Sequence, residues 1–190
     1  METVAEMIKL YEVTVIHNLF ISLLAVKLFS YFFAKEAYPI SKEVIRWLII
    51  SSGGLGIISW AIYAATAYDT SMLSRATGPY AVVFWLLTFL SCILPFILLL
   101  KNIKHKGWAI FFVAFLINTG WLFERFVIIV TTLHRDYLPS SWSMSGPFGA
   151  FTPLVTTVLH GTLIGFFITV ATVVVMKYSK TDDIDIKPLQ

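Results

Sequence analysis

Five apolar stretches limit what this chain can fold into. Each is longer than the roughly 20 residues that an α-helix needs to cross the ~30 Å hydrocarbon core of a bilayer. A membrane β-barrel is disfavoured because its strands alternate apolar and polar residues over segments of about ten residues. The sequence therefore predicts an all-α integral membrane protein, folded as one domain over residues 1–190. The predicted transmembrane helices are 11–34, 42–67, 80–100, 107–133 and 152–176.

Composition excludes a soluble domain. Hydrophobic residues make up 58% of the chain and charged residues 13%, whereas about 25% charged is usual in soluble proteins. The net charge of +3 is small and sits in the connections, so it bears on topology and does not indicate nucleic-acid binding. Cys92 is the single cysteine, which excludes an intrachain disulfide and a cysteine-rich metal site.

Lysine and arginine fall mainly on alternate connections, as five spans require. Positive residues favour the cytoplasmic side of a membrane, so the amino terminus and the loops 68–79 and 134–151 are predicted outside. The polar tail 177–190 is predicted in the cytoplasm. The residues that set this orientation are Lys35, Lys42, Arg46, Lys101, Lys104, Lys106, Lys177, Lys180 and Lys187.

Glu124 and Arg125 lie inside the fourth apolar stretch, where charged residues are costly and usually functional. Adjacent helical residues point about 100° apart, so these two side chains do not face each other. Each needs a partner from another helix, a ligand or enclosed water. The alternative is a buried salt-bridge network between helices that has no chemical role.

Other polar residues fall in the outer half of the predicted bundle. Glu124 lies ~15 Å and His160 ~12 Å from the outer ends of their helices, and Asn118 lies deeper. A graded set of such groups suits a proton path or a polar headgroup site, although interhelical hydrogen bonds give the same pattern. The candidates for such a proton path or headgroup site are Glu124, Arg125, Asn118 and His160. The candidates at the outer mouth or a partner-docking surface are Asp69, Arg75, His134, Arg135, Asp136 and Trp142.

Three further features concern packing. Ser52 and Gly56 form a small-xxx-small pair that lets helices approach closely, and Pro95 predicts a kink in the third helix. His17 and His160 raise the question of haem ligation, but two histidines alone equally fit hydrogen-bonded packing residues. No residue is assigned a catalytic or metal-binding role.

A family resemblance is carried by Trp121-Leu-Phe-Glu-Arg-Phe126, by Leu133-His-Arg-Asp-Tyr-Leu-Pro-Ser-Ser-Trp142 and by Arg75-Ala-Thr-Gly-Pro-Tyr-Ala81. These runs resemble the NrfD-like membrane subunits of polysulfide-reductase-type complexes, most closely those of the alternative complex III of bacterial respiratory chains. The resemblance covers roughly residues 69–153. Members of this family have about eight to ten spans, bind quinone near the outer face and carry no cofactor of their own.

The resemblance implies a membrane subunit of a respiratory quinol:electron-acceptor oxidoreductase in the bacterial inner membrane. Quinone would bind within the complex, while iron–sulfur clusters and c-type haems would sit in an external iron–sulfur subunit and in c-type cytochrome subunits. With five predicted spans, the chain resembles the carboxy-terminal half of a family member. A companion multi-helix membrane subunit would supply the other half, unless this is a shortened relative. The family pattern carries over to Glu124, Arg125, His134, Arg135, Asp136, Asp69 and Arg75.

Two alternatives belong to other functional classes. One is a structural membrane anchor for the peripheral subunits of an NrfD-type redox complex, with no part in turnover. The other is a small transporter whose route is lined by Glu124, Arg125 and His160. Transporters usually have repeat symmetry and matched helix breaks, and no such matched pair is found in this sequence.

Overall fold

Helices make up the described part of the chain, as its apolar stretches predict. The computed structural model describes residues 7, 10, 11, 13–66, 76–79, 81–123, 126 and 152–185, with the backbone alone at 63–66 and 180–185. Those residues contain no β-strand. The α-helices are α1 (Leu19–Phe33), α2 (Ala37–Thr66), α3 (Ala81–Cys92), α4 (Gly107–Ile117) and α5 (Thr152–Asp185), with 3₁₀ segments at Ile16–Asn18 and Leu94–Leu99.

Four helical segments are long and apolar enough to cross a membrane. They are Ile16–Phe33, Ala37–Ile62, Ala81–Leu99 and Thr152–Ser179. Helix α4 is apolar but has 11 residues, which gives it a length of only ~16 Å. The chain turns at Asn118 and is helical again at 119–123. Apart from Phe126, the remainder of the predicted 107–133 span lies outside the described residues.

Two predicted helix boundaries were wrong. Helix α2 begins at Ala37, five residues before the predicted start at Lys42, so the connection that precedes it is reduced to residues 34–36. Pro39 falls in the first turn, where its missing N–H costs no helical hydrogen bond. Helix α5 continues past Met176 to Asp185, because no glycine or proline interrupts that stretch. The first part of the predicted polar tail is therefore helical.

The predicted break at Pro95 is present. Helix α3 ends at Cys92, and the chain continues from Leu94 as a 3₁₀ segment with Pro95 at its start. Proline lacks the N–H that would bond back to Ser91 and its ring crowds the preceding turn. The tighter 3₁₀ segment accommodates this loss and carries the chain on to Leu99.

The helices run alternately up and down. Helix α1 runs parallel to α5, since Gly161 faces Ile21 and Gly165 faces Ala25 further along both helices. Antiparallel contacts relate α2 to α3 and its 3₁₀ extension, where Gly56 meets Cys92 and Arg46 meets Leu98. One end of the bundle thus gathers the starts of α1, α3 and α5 and the ends of α2 and α4. We call it the His17 end and the opposite one the Arg46 end.

The closest helix contact is the seam between α1 and α5. A Cβ atom added to Gly161 would lie 2.6 Å from the Ile21 Cβ, and one added to Gly165 would lie 2.6 Å from the Ala25 Cβ. Such distances leave no room for a larger side chain. Gly161 and Gly165 form a GxxxG pair, which is the spacing that lets membrane helices approach at their backbones.

The core is apolar, but the outside of the bundle is apolar as well, and several small polar side chains are buried. Val82 is 81% exposed and Phe32 71%, while Asn18, Ser22 and Thr169 are buried. Each of these buried polar side chains donates to a main-chain carbonyl of its own helix or the preceding turn. Apolar surfaces that face outward and satisfied polar groups inside are what a lipid environment requires.

Arg46, which was assigned to the cytoplasmic set of positive residues, is buried between α2 and the 3₁₀ segment Leu94–Leu99. It is 5% exposed, its Nη1 donates to the Leu98 carbonyl at 3.0 Å and its Nη2 pairs with Glu43. Its guanidinium also lies 4.9 Å from the centre of the Trp47 ring. Nearby, Lys42 Nζ donates to the His105 carbonyl at 2.7 Å. These contacts hold the Arg46 end closed.

Candidate functional site

A cavity of about 430 Å³ opens between α2, α3 and the ends of α1 and α4. It lies at the His17 end, where the predicted polar layer was expected. Trp60, Phe84 and Leu55 form apolar walls. The polar groups along it come from Tyr11, Ser52, Ser59, Thr88, Ser91 and Asn118. We call this space the first cavity.

Several hydroxyls that line the first cavity donate their protons to carbonyls of their own helices, so they face the cavity as hydrogen-bond acceptors. Thr88 Oγ1 donates to the Phe84 carbonyl at 2.8 Å, and Ser52 Oγ donates to the Ile49 carbonyl at 2.7 Å. Ser91 Oγ likewise donates to the Leu87 carbonyl at 3.0 Å. A hydroxyl has one donor and two acceptor positions, so each oxygen retains acceptor capacity. The lining therefore favours molecules that donate hydrogen bonds.

Asn118 adds a buried acceptor to this wall. Its side chain is 1% exposed, and its Nδ2 donates to the Ala114 carbonyl at 2.8 Å and the Ile16 carbonyl at 3.3 Å. Among the described residues, no donor lies within hydrogen-bond distance of its Oδ1. A buried polar atom without a partner is costly, and such groups are commonly satisfied by enclosed water or a ligand. The turn that interrupts the helix at Asn118 places this group.

His17 borders both the first cavity and a second one of about 280 Å³. Its ring stacks on the Trp121 indole, with centroids 5.1 Å apart and planes 25° apart. The 3₁₀ segment Ile16–Asn18 positions His17, and the helical turn after Asn118 positions Trp121. This aromatic pair holds the amino-terminal part of the chain against the segment that leads to Glu124.

The second cavity lies beside the start of α5. His160, Thr156 and Thr157 line it, together with His17 and Trp121. Thr156 Oγ1 and Thr157 Oγ1 donate to the carbonyls of Thr152 and Pro153, both at 2.9 Å. Their oxygens therefore keep acceptor capacity, as in the first cavity. His160 is exposed, so its imidazole is accessible from this side.

The structure brings some predicted site residues together. Asn118 lines the first cavity, His160 lines the second, and His17 lies beside both. The two histidines considered for haem thus share the second cavity. Of the predicted proton-path residues, Glu124 and Arg125 lie outside the described residues. So do all the outer-mouth residues: Asp69, Arg75, His134, Arg135, Asp136 and Trp142.

Sequence reasoning missed the hydroxyl lining and the role of Trp121. Thr88 and Ser91 sit three residues apart in an apolar helix, a spacing that puts both on one face and could have singled them out. Ser52 and Gly56 were predicted as a packing pair. Gly56 does contact Cys92, with an added Cβ lying 3.1 Å from its Sγ, while Ser52 also faces the first cavity. The sequence singled out Trp121 as part of the family resemblance, and its stacking on His17 gives it a specific partner.

Comparisons with protein-family models, with curated proteins and with solved structures gave no match for this chain. The description of the site therefore rests on its own geometry.

Proposed function

We propose that this chain is a membrane subunit of a respiratory quinol:electron-acceptor oxidoreductase, and that its His17 end handles protons released from quinol. The observation that carries the proposal is the acceptor-lined first cavity, in whose wall the Oδ1 of Asn118 is buried with no donor from the described part of the chain. Quinol hydroxyls and water both donate hydrogen bonds, so either matches this lining. The resemblance of residues 121–126 and 133–142 to NrfD-like subunits supplies the redox context.

The orientation follows from the charge distribution. The described lysines and Arg46 fall mostly at the Arg46 end, which the positive-inside rule places in the cytoplasm. The His17 end then faces outside, together with the amino terminus. In this arrangement residues 107–133 complete a fifth span, with Asn118 near its middle and Glu124 and Arg125 beyond it. The carboxy terminus lies in the cytoplasm.

The chemistry requires separate routes for electrons and protons. Oxidation of one quinol to quinone releases two electrons and two protons. The electrons pass to an iron–sulfur cluster in an external subunit and onward to c-type haems in cytochrome subunits. The protons leave through Glu124 and the polar groups beside it, and then through His134 and Asp136 at the outer mouth. Asn118 and the hydroxyls of the first cavity hold the donors, quinol or water, that connect to this route.

The proposed assembly lies in the bacterial inner membrane. A companion multi-helix chain supplies the other half of the family fold and the larger part of the quinol site. The external iron–sulfur subunit docks at the outer mouth, near Asp69, Arg75, Arg135 and Trp142. Quinone is the substrate shared by these chains, and this chain carries no cofactor.

The proposal is tested with Glu124→Gln in the assembled complex. Glutamine keeps the shape of the side chain but does not carry a proton. We expect quinol oxidation coupled to proton release to fall by about tenfold or more, as for loss of a proton-transfer group. Subunit composition on native gels should be unchanged. Unaltered turnover and unaltered proton release in Glu124→Gln would remove the proton-handling role.

A structural anchor is the second candidate, and one observation favours it. The Asn118 amide joins α4 to the carbonyl of Ile16, which is a contact that holds helices together. An anchor predicts that Asn118→Leu and Glu124→Gln lower the yield of assembled complex while each remaining complex turns over normally. The ratio of turnover to assembled complex therefore separates the two candidates.

A further inference from the structure

Lys27 is a charged residue near the middle of a membrane span. The segment Ile16–Phe33 has 18 residues, and Lys27 lies about 4 Å from its midpoint at 1.5 Å per residue. The side chain is exposed on the outer surface of α1. In a bilayer this surface would meet hydrocarbon, where a lone ammonium group is strongly disfavoured.

Contacts within the described part of the chain do not neutralise Lys27. The ion pair and the side-chain hydrogen bonds found there involve other residues. The carboxylates whose side chains are described, Glu36 and Glu43, belong to the Arg46 end, and Glu43 pairs with Arg46. No described carboxylate therefore stands at the depth of Lys27.

The Lys27 side chain is too short to bring its ammonium group to water at either end of the segment. The nearer end of the segment, at Phe33, is ~9 Å away along the axis, but helical Cα–Cβ bonds tilt toward the amino terminus and so away from it. In the favoured direction the end at Ile16 is ~16 Å away, beyond the reach of a four-carbon stem. The Lys27 side chain therefore extends along the helix within the span, and its ammonium group does not reach either end.

The exposed residues around Lys27 on this surface are large and mainly apolar. Leu24 is 50% exposed, Leu28 54% and Tyr31 66%. These residues lie three or four positions apart or next to Lys27, so they share one face of α1. The face away from it is already occupied by the seam with α5. We call the stripe of Leu24, Lys27, Leu28 and Tyr31 the Lys27 face.

We propose that the Lys27 face is the docking surface for a transmembrane helix of a different membrane chain, and that this helix brings an Asp or Glu carboxylate to Lys27. Charge complementarity carries the assignment, because a buried intramembrane cation is normally paired. The leucines and Tyr31 supply the packing around the pair. The inference goes beyond the proposed function, since it requires only that the chain spans a membrane and does not depend on quinol chemistry.

The test compares two lysines. Lys27→Met and Lys101→Met each remove one positive charge, but Lys101 is exposed in the turn after the 3₁₀ segment Leu94–Leu99 and is not part of the Lys27 face. Tagged complexes are purified gently from native membranes, and co-purifying membrane chains are quantified by mass spectrometry. We expect Lys27→Met to reduce one membrane chain by about tenfold or more, as for a broken buried pair, and Lys101→Met to leave it unchanged.

A photo-crosslinking residue at Leu28 identifies the partner helix, and charge reversal checks the pair itself. The cross-link should fall on a spanning segment that contains Asp or Glu. Lys27→Glu should abolish co-purification, and replacing the partner carboxylate by lysine should restore it, which excludes simple misfolding. Equal recovery of that membrane chain with Lys27→Met and Lys101→Met would overturn the proposal. Cross-links confined to lipid or to a second copy of this chain would overturn it too. None of these readouts depends on turnover, so they stand apart from the Glu124→Gln test.

Discussion

The seam between α1 and α5 and the first cavity are both lined by small residues, but they differ in what those residues permit. At the seam, Gly161 and Gly165 let the backbones meet, so that an added Cβ would lie 2.6 Å from a neighbouring atom. In the first cavity, Ser52 and Ser59 border a space of about 430 Å³. Small residues therefore allow close packing at the seam and leave open space in the first cavity. The closed region supplies stability, and the open one is where a ligand or water has room.

Enlarging a residue at the seam should have the largest effect on stability. Gly165→Val would place its Cβ against the Ala25 Cβ and 2.7 Å from the Ser22 carbonyl oxygen. Overpacking of this kind costs about 3 kcal/mol. The measurement is thermal unfolding in detergent followed by circular dichroism.

The matched control is Gly54→Ala on α2, where nothing lies within 4 Å of an added Cβ. Alanine is a better helix former than glycine by about 1 kcal/mol, so this variant should be as stable as the parent or more so. If Gly165→Val unfolded at the same temperature as Gly54→Ala, the seam would not be a close helix contact.

Enlarging a residue in the first cavity should lower activity strongly and change stability little, which is the opposite of the effect at the seam. Thr88→Phe places a ring into the available space, so the free energy of unfolding should change by less than about 1 kcal/mol. Quinol oxidation by the assembled complex should fall about tenfold, which corresponds to about 1.4 kcal/mol in the barrier. Val83→Phe, on the outer face of the same helix, is the control and should retain activity. Full activity in Thr88→Phe would remove the first cavity from the proposed mechanism.

Cys92 reports directly on access to the first cavity. It is the chain's single cysteine and lines this space although it is largely buried. A small membrane-permeant thiol reagent should therefore modify it. Thr88→Phe should slow the modification about fivefold, since thiol reactivity depends on access, and Val83→Phe should not. Equal labelling rates in the two variants, measured by intact-protein mass spectrometry, would mean that the reagent reaches Cys92 by another way.

Removing a polar contact between closely packed helices should have the smallest effect on the free energy of unfolding. Ser41 Oγ donates to Thr172 Oγ1 at 3.0 Å, joining α2 to α5. Interhelical hydrogen bonds in membrane proteins contribute roughly 0.6 kcal/mol in double-mutant cycles. A cycle of Ser41→Ala and Thr172→Val, read from unfolding free energies, should give a coupling of this size. A coupling several times larger would mean that polar contacts, and not the close glycine packing, hold the helices together.

The sequence predicted where the helices are better than it predicted which of their faces contact each other. Long apolar stretches and Pro95 predicted the helical fold and the break after α3, because length and backbone chemistry act locally. The start of α2 was predicted five residues late, at Lys42 and not at Ala37. In the structure Glu43, Leu98 and Trp47 surround Arg46, and these contacts make a charge acceptable inside a helix.

The candidate site could be predicted only in outline. Depth along a helix predicted that Asn118 and His160 lie in the outer half of the bundle; in the structure Asn118 lines the first cavity and His160 lines the second. Depth does not determine which helix faces meet, so the stacking of His17 on Trp121 was missed. The Gly161–Gly165 pair was missed for the same reason. The roles of Glu124 and of the outer-mouth residues remain predictions.

The most direct test of the central claim is the composition of the assembly that contains this chain. The complex would be isolated gently from native membranes, its subunits identified by mass spectrometry, and its iron and haem content assayed. The account predicts an iron–sulfur subunit, c-type cytochrome subunits and a second multi-helix membrane chain. A protein recovered alone or only with copies of itself, without iron, would contradict the assignment to a quinol-oxidising complex.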